Sequence, residues 1–352
     1  MKTRRRSALV AGALVLSLGL NTLTTSAASA AGLPGRAQRA GDYLASQLIH
    51  KTINATDTAY VAYSGTTPNL SLTAEAILAF HALGRTTEEN LLLGYLEARV
   101  EKYVHVTSGC GSATAYDDAG HLGLVLYLAN LTGAQSSFDL SALQARLLAT
   151  QRPGGLFGLN SPMACYDGVQ RTAFAILGLI KNGMLPTDPV IVSATNWIEH
   201  QQCPNGAFPA FRGTTQPCAS SGWGANRFDT NSTADALLGL KASGADPTTG
   251  SSARALTWLA SAQKADGTWG FYKNDQGDSD STSAVITALV MAGQLEAGTI
   301  AQWTKSGVTP YQALATFQSK LSYGIVWQAG SLPDNLSTIE AILGLSGYSL
   351  QL

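Results

Sequence analysis

Six stretches of this chain are small and apolar on nearly every side, and six amphipathic stretches alternate with them. The first set begins with Thr73–Phe80 (TAEAILAF), Leu122–Ala129 (LGLVLYLA) and Thr172–Leu179 (TAFAILGL). It continues with Thr233–Leu240 (TADALLGL), Thr282–Leu289 (TSAVITAL) and Thr338–Leu345 (TIEAILGL). Their first positions are separated by 49, 50, 61, 49 and 56 residues, and five of the six begin with Thr. A helix apolar all round is a buried helix, and self-similarity at a fixed spacing marks a repeat architecture.

The stretches carry their own boundaries. Each is preceded by a capping residue: Asn69 or Ser71, Asp118, Asp167, Asp229, Asp278 or Asp280, and Asp334. Most end near a glycine suited to a helix C-terminus, at Gly84, Gly133, Gly183, Gly244 and Gly293. The amphipathic helices are expected near Arg36–Ile49, Glu89–Val104, Asp139–Thr150, Pro189–Gln202, Ser251–Gln263 and Pro310–Lys320. They place Tyr43, Tyr95, Trp197, Trp258 and Phe317 beside charges, as an outer layer does. Short connections make sequential helices antiparallel neighbours. The pattern therefore predicts an all-α (α/α)6 toroid, six inner helices surrounded by six outer ones. An open solenoid is the alternative, but it would have to cap apolar faces at both ends.

A turn of one form follows three outer helices: Gln, three residues, Gly, one residue, aromatic. It reads Gln151 to Phe157 with Gly155, Gln202 to Phe208 with Gly206, and Gln263 to Trp269 with Gly267. The Gly permits a positive φ, the Gln suits orphan carbonyls at the helix end, and the aromatic suits packing between outer helices. This turn resembles the QW repeat of squalene-hopene and related triterpene cyclases, most closely in the fifth copy, where Trp258 precedes Gln263. The chain is thereby similar, over nearly its whole mature length, to the terpenoid cyclase and protein prenyltransferase toroids.

The fifth inner helix opens with Asp278-Ser279-Asp280-Ser281-Thr282-Ser283, which resembles the Asp-x-Asp-Asp-Thr-Ala motif of class II terpene cyclases. The resemblance implies Asp280 as the general acid that protonates an alkene or epoxide, with Asp278 as its partner. Ser281 stands where that family has its third acid. Two close carboxylates raise one another's pKa, as protonation requires, whereas the plainer reading makes these acids an N-cap and a dipole partner.

Other signatures of related toroids are missing. Cys165 follows Met163-Ala164, without the Asp of the zinc-binding Asp-x-Cys pair of protein prenyltransferases. Gly109-Cys110-Gly111-Ser112-Ala113 lacks the Gln of a complement-type thioester. The five histidines, His50, His81, His105, His121 and His200, show no metal-ligand spacing; His81 and His121 suit hydrogen-bonded core or cavity-wall positions. Asp278-x-Asp280-x-Thr282 starts like a calcium loop but lacks its later ligands. No metal and no cofactor is expected.

Only 13% of the 352 residues are charged, against about 25% in an average domain, so the surface relies on uncharged polar side chains. Lys2, Arg4, Arg5 and Arg6, the apolar run Ala8–Leu20 and Ala28-Ser29-Ala30 read as a secretory signal peptide over 1–30. The remaining 31–352 is expected to form a single domain of six repeats of about 50 residues, without a membrane span, exported and monomeric. Cleavage takes the 22 basic side chains to 18 against 23 acidic, a net charge of −5, which argues against nucleic acid.

Four cysteines in an exported chain suggest two disulfides with three possible pairings. The toroid order selects Cys203–Cys218 within one long loop, and Cys110–Cys165 between adjacent repeats. Both would staple the rim where the inner helices begin. Asp117, Asp118, Asp167, Asp229, Asp278 and Asp280 should ring that opening, with Tyr116, Tyr166, Trp223, Tyr272 and Trp327 in the loops around it.

A polar mouth above an apolar cavity is the usual form of a ligand site. The expected ligand contacts are Tyr116, Asp118, His121, Tyr166, Asp167, Trp223, Asp229, Thr282 and Trp327. The sequence then supports a secreted protein that binds an apolar, isoprenoid-like molecule. The first alternative is a class II-type cyclase using Asp280. The second is a secreted carbohydrate-active enzyme with an acid and a base on the rim, about 6.5–9.5 Å apart if inverting.

Overall fold

The computed structural model describes residues 32–107, 114–159, 167–213, 216–222 and 224–352. Helices occupy α1 (Pro34–Ser46), α2 (Leu70–Ala82), α3 (Thr86–Glu97), α4 (Val100–Val104) and α5 (Ala119–Leu131). They continue with α6 (Leu140–Ala149), α7 (Val169–Lys181), α8 (Pro189–Gln201) and α9 (Thr230–Ala242). The last four are α10 (Gly250–Ala262), α11 (Ser279–Met291), α12 (Pro310–Leu314) and α13 (Asn335–Ser346).

The six small-residue stretches are helices α2, α5, α7, α9, α11 and α13, and each packs against the next in that order. Helix α13 also packs against α2, which closes the cycle. Around them lie α1 against α13, α3 against α2, α6 against α5, α8 between α7 and α9, α10 against α9, and α12 between α11 and α13. Small side chains allow the closest of these approaches: a Cβ on Gly178 of α7 would strike the backbone of Gly123 of α5, and one on Gly123 the backbone of Phe174 and Ala175 of α7.

The starting ends of the inner helices are tied to one another around the ring. Ala119 N donates to Gly158 O, Val169 N to Ala210 O, Thr230 N to Phe271 O and Ser279 N to Trp327 O. Each bond joins the start of one inner helix to the loop that leads into the next. Asn335 Nδ2 to Ala62 O, at 2.8 Å, carries the belt from α13 to α2. The inner helices therefore run parallel, and their positive ends share one rim.

The recurring Thr is explained by a bond that the sequence pattern alone did not reveal. Its Oγ1 accepts the backbone N–H of the residue that ends the preceding turn: Val61 to Thr73, Phe157 to Thr172, Phe208 to Thr233, Trp269 to Thr282 and Ile325 to Thr338. A buried N–H needs such a partner, and Thr supplies it from the first turn of the inner helix. The turn glutamines differ from expectation. Their amides donate to their own turn and across to the next outer element, Gln151 to Val190 O, Gln202 to Ser251 O and Gln263 to Trp303 O. Gln318 does the same to Arg36 O at 3.0 Å, joining the last repeat to the first helix. This fourth copy escaped the motif because its loop is longer.

Several boundaries are corrected. The fold is predominantly helical, and among the described residues three small two-stranded antiparallel sheets accompany the helices. Strand β1 (Ile49–Ile53) pairs with β2 (Thr56–Tyr60), β3 (His105–Thr107) with β4 (Ala115–Asp117), and β5 (Phe208–Pro209) with β6 (Phe228–Asp229). The first outer helix stops at Ser46 because β-branched Ile49, Thr52, Ile53, Thr56 and Thr58 follow, folded about a positive-φ turn at Asn54-Ala55. The second outer segment starts earlier and breaks between α3 and α4, and the sixth shortens to α12 plus a 3₁₀ turn, Ala315–Phe317. Of the caps left open, Asn69 and Asp278 serve, each accepting the N–H three residues on. Asp167 does not cap; Gly168 holds that position without a side-chain bond.

Cys203 and Cys218 form the expected disulfide, with Cα atoms 5.9 Å apart. Cys110 and Cys165 lie outside the described residues, as do residues 1–31. The Cys203–Cys218 loop spans a sequence separation of 15, for which chain entropy predicts about 3 kcal/mol of stabilisation. Replacing both cysteines by Ser is expected to lower the urea midpoint by a corresponding amount with little change in slope.

Candidate functional site

Three chambers that share lining residues adjoin one another between the rim and the ring axis. The outermost, about 440 Å³, is lined by Tyr63, Asn69, Ser71, Lys102, Tyr103 and His121 among others. It shares Ser71, Tyr103 and His121 with a middle chamber of about 230 Å³. The middle chamber in turn shares Glu75, Leu124, Gln170 and Phe174 with an axial chamber of about 160 Å³. Leu78, Leu238, Ile339 and Leu343 make the axial chamber apolar, and Leu350 of the C-terminal segment also lines it. An apolar cavity of about 150 Å³ accommodates a benzene-sized group. The two inner chambers together fall within the ~300–1,000 Å³ typical of small-molecule sites.

The gateway is built by α2, α4 and α5. The His121 ring stacks on Tyr103, with centroids 4.2 Å apart. Its Nδ1 lies 2.7 Å from Tyr103 O; a carbonyl only accepts, so Nδ1 carries the proton and Nε2 faces Ser71 Oγ at 3.4 Å. Asp118 caps α5 through Gly120 N and His121 N and ion-pairs with Arg171 at 2.8 Å. Burial works to raise the Asp118 carboxyl, but His121 and Arg171 outweigh it and hold the acid low.

Three further acids face the axial chamber: Glu75 of α2, Asp235 of α9 and Glu340 of α13. Each occupies the third position of its repeat stretch. Burial raises Glu75 to about 7. Burial, with the charges of Asp229 and Glu75, raises Asp235 to about 7. Glu340 is pushed well up by burial and then by Asp280, Glu75 and Asp235. These are carboxyls that hold protons near neutrality beside a hydrocarbon wall. Sequence reasoning passed over them, although an acid inside an otherwise apolar helix was the available signal.

The sequence-predicted residues distribute themselves unevenly around these chambers. Asp118 and His121 stand at the middle chamber. Asp229 caps α9 and is raised by burial to about 6 against its bonds to Ser232. Asp278 caps α11, where Ser281 donates both N–H and Oγ–H to its carboxylate; burial still raises it to about 6. The serine that replaces the third acid thus serves the cap. Asp280 lies one turn above Ala284 of the chamber and accepts from Ser279 Oγ at 2.9 Å. Burial raises it against the hydroxyls of Ser279 and Ser337, and Asp334 adds to the rise.

Asp167 bonds Leu159 N and ion-pairs with Arg152 at 2.8 Å. Asp117 is held low by Arg146, which bonds it at 2.7 Å. Tyr116 sits half-buried in β4, and Trp327 is exposed on the rim with its carbonyl bonded to Ser279 N. Thr282 is fully buried with its hydroxyl committed to Trp269, away from the chamber lining. Tyr166 and Trp223 lie outside the described residues. His81 pairs with Glu89 at 3.0 Å. Among the described residues, no three His, Cys, Asp or Glu side chains form a metal-binding group, and no helix is long and apolar enough to cross a membrane.

Comparison with known proteins agrees with this architecture. Residues 143–283 match the family model of the squalene-hopene cyclase C-terminal domain. No curated protein matches the sequence significantly. Among solved structures, a protein from Actinoplanes is similar at 17% identity and a TM-score of 0.59, covering 89% of this chain and 98% of the other. A type II terpene cyclase from Scytonema is similar at 13% identity and a TM-score of 0.59, over 89% and 97% of the two chains. Protein geranylgeranyltransferase-I from Candida albicans follows at 13% identity and 0.54, over 78% and 82%. The chain shares the fold of terpene cyclases and prenyltransferases.

Proposed function

We propose that this chain is a secreted (α/α)6 toroid, a single domain over 31–352, that holds an apolar isoprenoid-type ligand on its axis. The observation that carries this reading is the apolar chamber between the parallel inner helices, entered through the His121 gateway and reached by Leu350. A structural neighbour from Scytonema, with a TM-score of 0.58, holds geranylgeranyl dihydroxybenzoate, which supports an isoprenoid over a glycan. The hydrocarbon surface of Leu78, Leu238, Ile339 and Leu343 suits the apolar body of an isoprenoid ligand. The volumes favour one ring-sized group at the axis and a tail in the middle chamber.

A second reading, acid-initiated cyclisation, is favoured by the burial-raised carboxyl of Asp280 near the start of α11. A protonated acid above a hydrocarbon cavity is what alkene protonation requires. Native mass spectrometry of the mature protein with squalene, geranylgeraniol and prenyl diphosphates separates the readings. The expected result is a retained, chemically unchanged prenyl ligand in wild type and in Asp280→Asn alike. Turnover by wild type that Asp280→Asn abolishes would replace binding by catalysis, and no retained prenyl species at all would overturn both.

A further inference from the structure

We propose that the axial chamber selects an organic cation, a protonated amine on an apolar body, over a neutral ligand of the same skeleton. This rests on the reading of the chamber as a ligand site and names the chemistry of its occupant.

The first observation is a set of acids without partners. The rim acids are all held: Asp117, Asp118 and Asp167 by Arg146, Arg171 and Arg152, and Asp229, Asp278 and Asp280 by donors from Ser232, Ser281 and Ser279. Glu75, Asp235 and Glu340 enter the chamber from three different helices, and no Lys, Arg or His lines it. Among the described residues, none of the three carboxyls has an ion pair or a side-chain hydrogen bond. Above pH 7, where Glu75 and Asp235 ionise, a buried charge without a partner is costly, and a positive group from outside the chain relieves that cost.

The second observation is independent of the acids. Ser283 is 1% exposed and lines the same chamber, yet its Oγ has no hydrogen-bond partner. Asn231 lines it as well, and its Oδ1 is buried without a partner. Buried polar atoms in native structures are nearly always satisfied. An amide oxygen only accepts, a hydroxyl can accept, and the carboxylates accept when ionised. The missing component is a donor, and an ammonium brings three N–H donors with a positive charge.

The rest of the wall decides between a metal ion and an organic cation. Among the described residues no three acids or histidines form a metal-binding group. Leu78, Leu124, Phe174, Leu238 and Leu343 line the same chamber and suit a hydrocarbon body. Approach of the ammonium to the Phe174 face would add a cation–π contribution.

The test uses geranylamine and geraniol, which share one carbon skeleton and differ in ammonium against hydroxyl. Binding to the mature protein is measured by isothermal titration calorimetry at pH 8, with Glu340→Gln and Glu75→Gln alongside wild type. Wild type is expected to bind the amine at least about tenfold more tightly than the alcohol, the scale of one charge-assisted hydrogen bond. Each amide variant should lose most of that preference, the ratio of amine to alcohol affinity falling towards one, and its far-ultraviolet circular dichroism shows that it is folded. Equal affinities in wild type would overturn the inference and leave the chamber reading intact. An amine preference unchanged in both variants would place the cation elsewhere and also overturn it. Binding of neither probe would remove the chamber reading, and the inference with it.

Discussion

Replacing Glu75 by Gln and Asp235 by Asn is expected to stabilise the protein at pH 8 and to change little at pH 4. Burial raises Glu75 from 4.5 to about 7 and, with two neighbouring acids, Asp235 from 3.8 to about 7. Below about pH 3 both carboxyls are largely protonated in the folded and unfolded chains, and neither contributes a pH dependence. Between roughly pH 4.5 and 7 the unfolded chain has released these protons while the folded protein keeps them. Folding then takes up protons, so stability falls as pH rises, by about 1.4 kcal/mol per unit for each group. Above pH 7 both states are ionised and the full penalty is present. Each amide should therefore recover on the order of 3 kcal/mol at pH 8. The pair should recover less than the sum, because Glu75 itself contributes to the rise at Asp235. Urea unfolding of wild type and the double variant from pH 4 to pH 8 measures this directly. Parallel stability curves would show that the two acids are solvated in the folded state. A residual fall in the double variant is expected, since Asp229 and Asp278, both raised to about 6, still take up protons on folding.

The ring order was legible in the sequence because it depends on residues that repeat at fixed spacing. Each inner helix needs small side chains where it meets its neighbours, a cap before it and a glycine after it. Those requirements recur as Thr233–Leu240 does, between Asp229 and Gly244. The Thr itself was visible as a marker without its cause, which is a bond to a turn some 12 to 25 residues earlier in the chain. The hairpin β1–β2 was lost because Ile49 also fits the last turn of an amphipathic helix. What decides for strand is the cluster of β-branched residues around Asn54-Ala55, and their weight shows only when the segment is read as a pair.

The site was legible at its mouth and not on its axis. Caps such as Asp118, Asp229 and Asp278 announce themselves by position before an apolar run. Glu75, Asp235 and Glu340 were hidden because an acid inside a helix ordinarily marks a solvated face. Here that face looks inward, onto a cavity that exists only when six helices close. One helix cannot show which of its faces meets the axis. The alignment of repeats can: the third position carries an acid in three copies and Leu124, Phe174 and Ala284 in the others. All six of these residues line the axial chamber.

Trp269→Ala is expected to be the most damaging single change in the outer layer, at about 3–5 kcal/mol. Trp269 is fully buried at the end of the third glutamine turn, between α10 and α11. Its Nε1 donates to Leu259 O at 2.8 Å, its backbone N to Thr282 Oγ1 at 3.0 Å, and its ring lies 6.2 Å from that of Trp303. Truncation removes the ring contacts and leaves a cavity that three packed elements cannot easily fill. The Leu259 carbonyl is not orphaned, because Gln263 N also bonds it, so the lost Nε1 bond adds only about 1 kcal/mol. Phe157 and Phe208 occupy the equivalent positions of two other turns and are equally buried. Trp269→Phe should accordingly cost much less than Trp269→Ala, and the contrast isolates ring packing from the hydrogen bond. Because Trp269 does not line the axial chamber, ligand affinity should survive in Trp269→Phe while the urea midpoint falls. If Trp269→Ala lowers stability by less than about 1 kcal/mol, within the range of an ordinary surface change, the turn aromatics do not hold the outer layer to the inner one.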